Sequence, residues 1–207
     1  MDPVVIERSC FVGLVTSAVE AYNCETNGFL VGNRSTRMLR QRPREVTVLR
    51  AAYPLQTEER KPNWVAHGNV KAFRRAQRTM ENMDVGYEVL GGFHSHTGHD
   101  GDAELSKTDL EYVAQELQRL RRSRSEDARW LEVVVALRRK EWARSHGVGW
   151  TTRTYRRKLG CTVAIDPTHG YDMTLAGYWV RAQPDGAPDR WDVVATEESR
   201  LLLPWSR

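Results

Sequence analysis

The chain has 207 residues, 40% hydrophobic and 28% charged, with 15 glycines and 8 prolines, a globular composition that excludes disordered and fibrous classes. A chain of this length buries a core without covalent staples, and no apolar run approaches the roughly 18 residues of a membrane span. The net charge of +4 conceals two opposed segments: Leu117 to Lys158 carries 13 Lys/Arg against 4 Asp/Glu, and Glu81 to Glu111 carries 8 Asp/Glu against Lys107 alone. Met1-Asp2-Pro3 opens no basic, then apolar, secretory signal, so a soluble cytoplasmic protein without membrane contact is expected. Cys10, Cys24 and Cys161 are odd in number and widely spaced, which fits neither a disulfide framework nor a cysteine zinc knuckle.

In chain order, Phe11, Leu14, Val15, Ala18, Val19 and Tyr22 share one helical face, predicting a helix over Cys10 to Tyr22. The glycine-bounded run Gly28 to Gly32 predicts a buried strand, and Glu45 to Ala52 alternates as another. The polar stretch Gln56 to Pro62 reads as a loop. Val70, Phe73, Met80 and Met83 predict a helix from about Asn69. Tyr87 to His96 reads as a third strand, running into a Gly/Asp-rich loop. A helix follows from about Ser106, with Leu110, Val113, Ala114, Leu117 and Leu120 on its apolar face; Ser106 and Asp109 form a capping pattern at its start. Leu131 to Leu137 is almost continuously apolar, as suits a strand covered on both faces. Tyr155 to Ile165 and Leu175 to Val180 read as two more strands, Asp185 to Pro188 as a turn, and Trp191 to Arg207 as a final strand or tail. Helices interspersed with strands imply a mixed α/β layer structure.

The acidic segment holds the chemistry. In a strand, residues i and i+2 point to the same face, so His94 and His96 present two imidazoles side by side. Asp109, in the first turn of the next helix, can be folded back over the strand end. Two imidazoles and one carboxylate leave the fourth position of a tetrahedral zinc open, the catalytic rather than the structural pattern. Such a site needs a base, and Glu25, just before the glycine-bounded strand, is the candidate. His99, Asp100 and Asp102 are read as solvated loop residues rather than further ligands. Cys24 lacks a positioned histidine and is set aside as a nucleophile. His67, His146 and His169 are scattered. Trp130, Trp142, Trp150, Trp179 and Trp191 read as core or interface anchors.

Taken together, Glu25-x-x-Gly-x-Leu-x-Gly, His94-Ser-His96 and Ser106-x-x-Asp109, in this order, resemble the motif of the JAMM (MPN+, JAB-domain) zinc metalloproteases, over about residues 5 to 165. Tyr53-Pro-Leu-Gln and Glu88-Val-Leu-Gly-Gly-Phe also look like the family's flanks. The resemblance implies one zinc per chain on His94, His96 and Asp109, with Glu25 as general acid/base and Ser106 as oxyanion donor. It implies a strongly curved mixed sheet flanked by helices, a single domain over 1–165 with an extension at 166–207 packed on it as further strands. The implied reaction is hydrolysis of peptide or isopeptide bonds at the tail of ubiquitin or a ubiquitin-like or sulfur-carrier protein, the prokaryotic isopeptidase type. Two features depart from the family pattern. Thr97 stands where a proline usually follows the second histidine, and the Thr97–Leu105 loop is two residues longer than usual, an insertion that loop closure tolerates.

Other readings stand beside this one. Many relatives keep the architecture, lack the ligands and serve as scaffold or interaction subunits, whereas every ligand position is filled here. The basic 117–158 region allows nucleic-acid binding, although arginine-rich segments are more often solvated surface.

Overall fold

The structure, a computed structural model, describes residues 2–39, 41–56, 59–62, 64–66, 70–83, 86–97, 102–121, 129–184 and 191–205. His67, His99, Asp100 and the Asp185–Pro188 turn lie outside them.

Strand β1 (Val4–Ile6), three buried apolar residues with no sequence signal of its own, leads into helix α1 (Arg8–Glu20). Cys10, Phe11, Leu14, Val15 and Ala18 are buried along α1, the face its 3.6 periodicity foretells. Strands β2 (Asn27–Leu39) and β3 (Arg42–Pro54) form a long antiparallel hairpin. Both extend well beyond the apolar runs that announce them, because their distal halves are exposed and polar. The stretch expected to be a loop instead begins a small hairpin, β4 (Glu59–Lys61) with β5 (Trp64–Ala66); three-residue strands are too short to show periodicity. Helix α2 (Val70–Met83) packs against β6 (Glu88–Thr97), and Phe73 seats against Phe29 with ring centroids 4.6 Å apart.

Helix α3 (Lys107–Arg121) buries Val113, Ala114 and Leu117. It is followed by β7 (Trp130–Glu141), whose first eight residues are all buried. The single strand expected over Tyr155–Ile165 is in fact one arm of a hairpin: β8 (Gly149–Tyr155) turns at Arg156–Arg157 into β9 (Lys158–Ala164). Arg156 takes φ 54° there, a turn set without the Gly or Asn that would have announced it. Residues 166–207 supply β10 (His169–Pro184), β11 (Trp191–Ser199) and β12 (Leu201–Leu202).

The main sheet runs β12-β1-β3-β2-β6-β7-β10-β9-β8, with β11 also on β10. It is mixed: β6 and β7 are parallel, as are β1 and β3, and the hairpins are antiparallel. The chain leaves β11 on β10 and within two residues pairs β12 with β1 at the far edge, where Leu201 N–H also donates to the Arg157 carbonyl. That short connection is possible because the sheet is strongly curved and nearly closed. Period-two alternation along β7 feeds two cores. Leu131, Val133, Val135 and Leu137 join the cluster beneath α1. Trp130, Val134 and Ala136 join the cluster that includes Phe73 of α2 and Val113 and Leu117 of α3. No helix among the described residues is long and apolar enough to cross a membrane.

Candidate metal centre

His94 and His96 leave β6 on the second of these faces. His94 is 6% exposed and pairs in register with Val134 of β7, as His96 does with Ala136. Their Nε2 atoms are 3.1 Å apart. Asp109 closes the group from α3, with Oδ1 3.5 Å from His94 Nε2 and Oδ2 3.6 Å from His96 Nε2. The capping box that starts α3 sets this position. Asp109 N–H donates to Ser106 Oγ at 3.2 Å, and Ser106 N–H donates back to Asp109 Oδ2 at 2.7 Å. Capping and convergence on the histidines therefore use the same carboxylate.

The outer nitrogens decide the chemistry of the inner ones. His94 Nδ1 lies 2.7 Å from Glu132 Oε1, and His96 Nδ1 lies 3.0 Å from the Asp102 carbonyl oxygen. A carbonyl only accepts, so His96 carries its proton on Nδ1 and turns a lone pair inward; His94 is held the same way by a carboxylate. Once His94 gives up its inner proton, two imidazole lone pairs and a carboxylate meet. Ligands about 2.0–2.1 Å from a tetrahedral ion lie about 3.3 Å from one another; the two Nε2 atoms are close to that spacing, and each has one Asp109 oxygen slightly beyond it, Oδ1 for His94 and Oδ2 for His96. His94, His96 and Asp109 therefore fit a metal ion, their ligand atoms all lying within 4.8 Å of each other.

The electrostatics agree. Burial disfavours the His94 imidazolium, but hydrogen bonds to Asp109 and Glu132 outweigh burial and raise it to about 10. Burial also works against the Asp109 carboxylate, yet His94, His96 and Ser106 hold it well below the usual range. The cluster attracts positive charge, and a divalent cation that displaces the His94 proton satisfies three lone pairs at once.

Glu25 stands immediately before the Thr26–Ser95 clamp. Thr26 N–H donates to Ser95 Oγ and Ser95 N–H donates to the Thr26 carbonyl, both at 2.9 Å. Glu25 N–H donates to the Lys61 carbonyl at 2.9 Å, so the β4–β5 hairpin holds its other side. Burial raises the Glu25 carboxyl above its ordinary value; His96 and His94 pull it down and Asp109 pushes it up, so the group feels all three members of the cluster. Thr97 uses its hydroxyl to donate to the Pro62 carbonyl at 2.5 Å. The far end of the long loop is pinned three ways: Tyr178 hydroxyl to the Ala103 carbonyl at 2.8 Å, His96 to Asp102, and Lys158 to the Asp102 and Glu104 carboxylates at 3.6 and 3.8 Å. Asp102 thus serves through its carbonyl, its carboxylate turned to Lys158.

Glu132 and Ser95 escaped the sequence reading. Glu132 is 3% exposed within an apolar strand, and its second oxygen accepts from Trp130 Nε1–H at 2.6 Å. A lone acid in such a run is itself a signal, because a buried carboxylate needs partners. Gly92 makes room for the pair: a Cβ there would lie 3.0 Å from both Glu132 Oε2 and the Trp130 ring. Glu132→Gln should therefore retain the fold and weaken metal binding by about 10–100-fold, as a competition titration of a divalent cation against a chromophoric chelator would measure; unchanged affinity would remove Glu132 from the site. Asn27 lies opposite His94 in register, and its Oδ1 is buried without a hydrogen-bond partner among the described residues.

The remaining candidates fall elsewhere. Cys10, Cys24 and Cys161 are free, Cys10 and Cys161 buried. Trp130 is core, Trp142 stacks on His146, and Trp150 is exposed against Phe11. In the basic region Arg138, Arg139, Lys140 and Lys158 all face carboxylates.

A family model described as prokaryotic homologs of the JAB domain matches residues 7–148. The chain belongs to this family. The match takes in Glu25, both histidines, Ser106, Asp109 and Glu132, and the remainder of this JAB-domain chain contributes β1 and β8 to β12. No curated protein matches it. Among solved structures it is similar to the solution structure of protein DSY2949 from Desulfitobacterium hafniense, at 14% identity and a TM-score of 0.48, covering 97% of this chain and 92% of that one.

Proposed function

We propose that this JAB-domain protein is a zinc-dependent peptidase or isopeptidase that cuts at the C-terminal tail of ubiquitin or a ubiquitin-like or sulfur-carrier protein. The observation that carries the reading is the convergence of His94, His96 and Asp109, their ligand atoms within 4.8 Å of one another, with the outer nitrogens held by Glu132 and Asp102. A zinc ion held there would supply Lewis acidity towards a carbonyl oxygen and a water acidified to a pKa near 7.

The chain's own groups do the rest. Glu25 accepts the proton of the attacking water and passes it to the departing lysine or α-amino nitrogen. Ser106 Oγ is occupied as an acceptor by the Asp109 N–H, which leaves its own hydrogen to donate to the oxyanion. The substrate tail lies extended beside an exposed strand edge, near Lys61, Pro62 and Thr97. Supporting this, Lys61 and Pro62 bond directly to Glu25 and Thr97.

The test is a fusion of a Gly-Gly-ended ubiquitin-like protein to a reporter, incubated with zinc-loaded protein. Cleavage after Gly-Gly, abolished by chelator and restored by zinc, is expected. Zinc-loaded protein that cuts no such fusion would instead be a metal-binding scaffold.

A further inference from the structure

The sheet face that carries the histidines continues past them. In register, His96 is beside Ala136 on β7, Ala136 opposite Thr174 on β10, Thr174 opposite Gly160 on β9, and Gly160 opposite Arg153 on β8. Residues paired in this way share a face, so one row runs from a proposed ligand to a guanidinium. The adjoining row runs Arg138, Asp172, Thr162, Thr151. From Ala136 outward, beyond His96, the first row lines a cavity of about 250 Å³ together with the second. Its floor is low because Ala136, Thr174 and Gly160 are small.

Two observations give the cavity a chemical preference. Arg153 lies down over β9: a Cβ on Gly160 would be 3.0 Å from Arg153 Cγ and 3.1 Å from Nε. The missing side chain at Gly160 thus lets the guanidinium lean inward, towards the histidines. The only carboxylate in the lining, Asp172, is already engaged by Thr162 Oγ1 at 2.6 Å, Lys140 Nζ at 2.8 Å and Arg138 at 3.6 Å. Arg153 itself has no ion pair among the described residues. Positive charge is therefore left over at the end of the cavity far from the metal ligands, in a polar setting with threonine hydroxyls at hand.

We infer that this cavity is a specificity subsite for an acidic side chain of the substrate, with Arg153 as its charge partner and the Thr174 hydroxyl supplying a hydrogen bond. This rests on the peptidase reading. Gly160 is three strand spacings from β6, about 14 Å, and an extended peptide covers that in about four residues. The acidic residue lies that far from the scissile bond. Carboxylate is the fitting group because a guanidinium offers it two parallel donors.

The experiment uses internally quenched ten-residue peptides with a central Gly-Gly, carrying Asp, Asn or Lys in turn at each of four positions on either side. With zinc-loaded protein, Asp at one outer position should raise kcat/KM by about tenfold over Asn, the scale of one charge-assisted contact, and Lys there should lower it. Arg153→Glu should invert the order. Gly160→Val keeps every charge but displaces the guanidinium, and should erase the preference. A second arm measures binding of the same peptides, N-methylated at the scissile bond, to metal-free protein by fluorescence anisotropy. Arg153-dependent binding of the Asp peptide without any cleavage would uphold the subsite and sink the peptidase reading. Cleavage indifferent to Asp at every position, and to Arg153→Glu, would overturn the subsite and leave the peptidase reading standing.

Discussion

Replacing Glu25 by glutamine should leave one zinc per chain and cut kcat by about 10²–10⁴-fold, the usual contribution of a positioned general base. The amide has the same size, and the backbone on either side is held by the Lys61 carbonyl and the Thr26–Ser95 pair, so geometry and metal content should survive. What is lost is the ability to take a proton. The pH profile separates this from a structural role. A base works only when deprotonated, so activity falls as pH drops through its pKa. Burial raises the Glu25 carboxyl in the metal-free site and a bound cation pulls it down, so the acid limb of kcat/KM should belong to Glu25 and disappear in the glutamine variant. The profile can be recorded on the Gly-Gly fusion with zinc in excess. A glutamine variant that cleaves at the parent rate would strip Glu25 of its assigned role.

Asp109→Ala should lose zinc by more than about 100-fold in affinity, beyond the 10–100-fold typical of an outer partner. It removes the one carboxylate that faces both Nε2 atoms, at 3.5 and 3.6 Å. It also deletes one half of the capping box, though Ser106 Oγ still accepts from the helix. Asp109→Asn is the control, since its carbonyl oxygen can accept from Ser106 N–H while binding zinc poorly. Elemental analysis after dialysis reads both variants, and the rise in Tm on adding zinc should vanish with them. Full zinc occupancy in the alanine variant would exclude ligation by Asp109.

Local rules carried the sequence reading to the metal centre. Two histidines at i and i+2 share a strand face, and Ser106-x-x-Asp109 starts a helix; each statement needs only a few neighbouring residues. The buried faces of α1 and α3 and the doubly covered β7 follow from periodicity in the same way. Those local motifs, in their order along the chain, also suffice for the family. The reading fell short wherever a distant partner decides. Tyr155 ends one strand of a hairpin instead of beginning a single strand, because β9 takes its place from β10 on one side and β8 on the other. The β4–β5 hairpin is too short to declare itself, yet its carbonyls hold Glu25 and Thr97.

Residue types and spacings alone thus determined the candidate ligand set, the candidate base and the helix cap that aims Asp109, because strand alternation and helix capping act over a few residues. Only the tertiary structure decided that Glu132, 38 positions away, orients His94, that the Asp102 backbone fixes the tautomer of His96, and that Arg153 faces the same sheet surface as the histidines. Those relations depend on which strands pair and in what register, and register is settled by burial across the whole sheet rather than by any short stretch of chain.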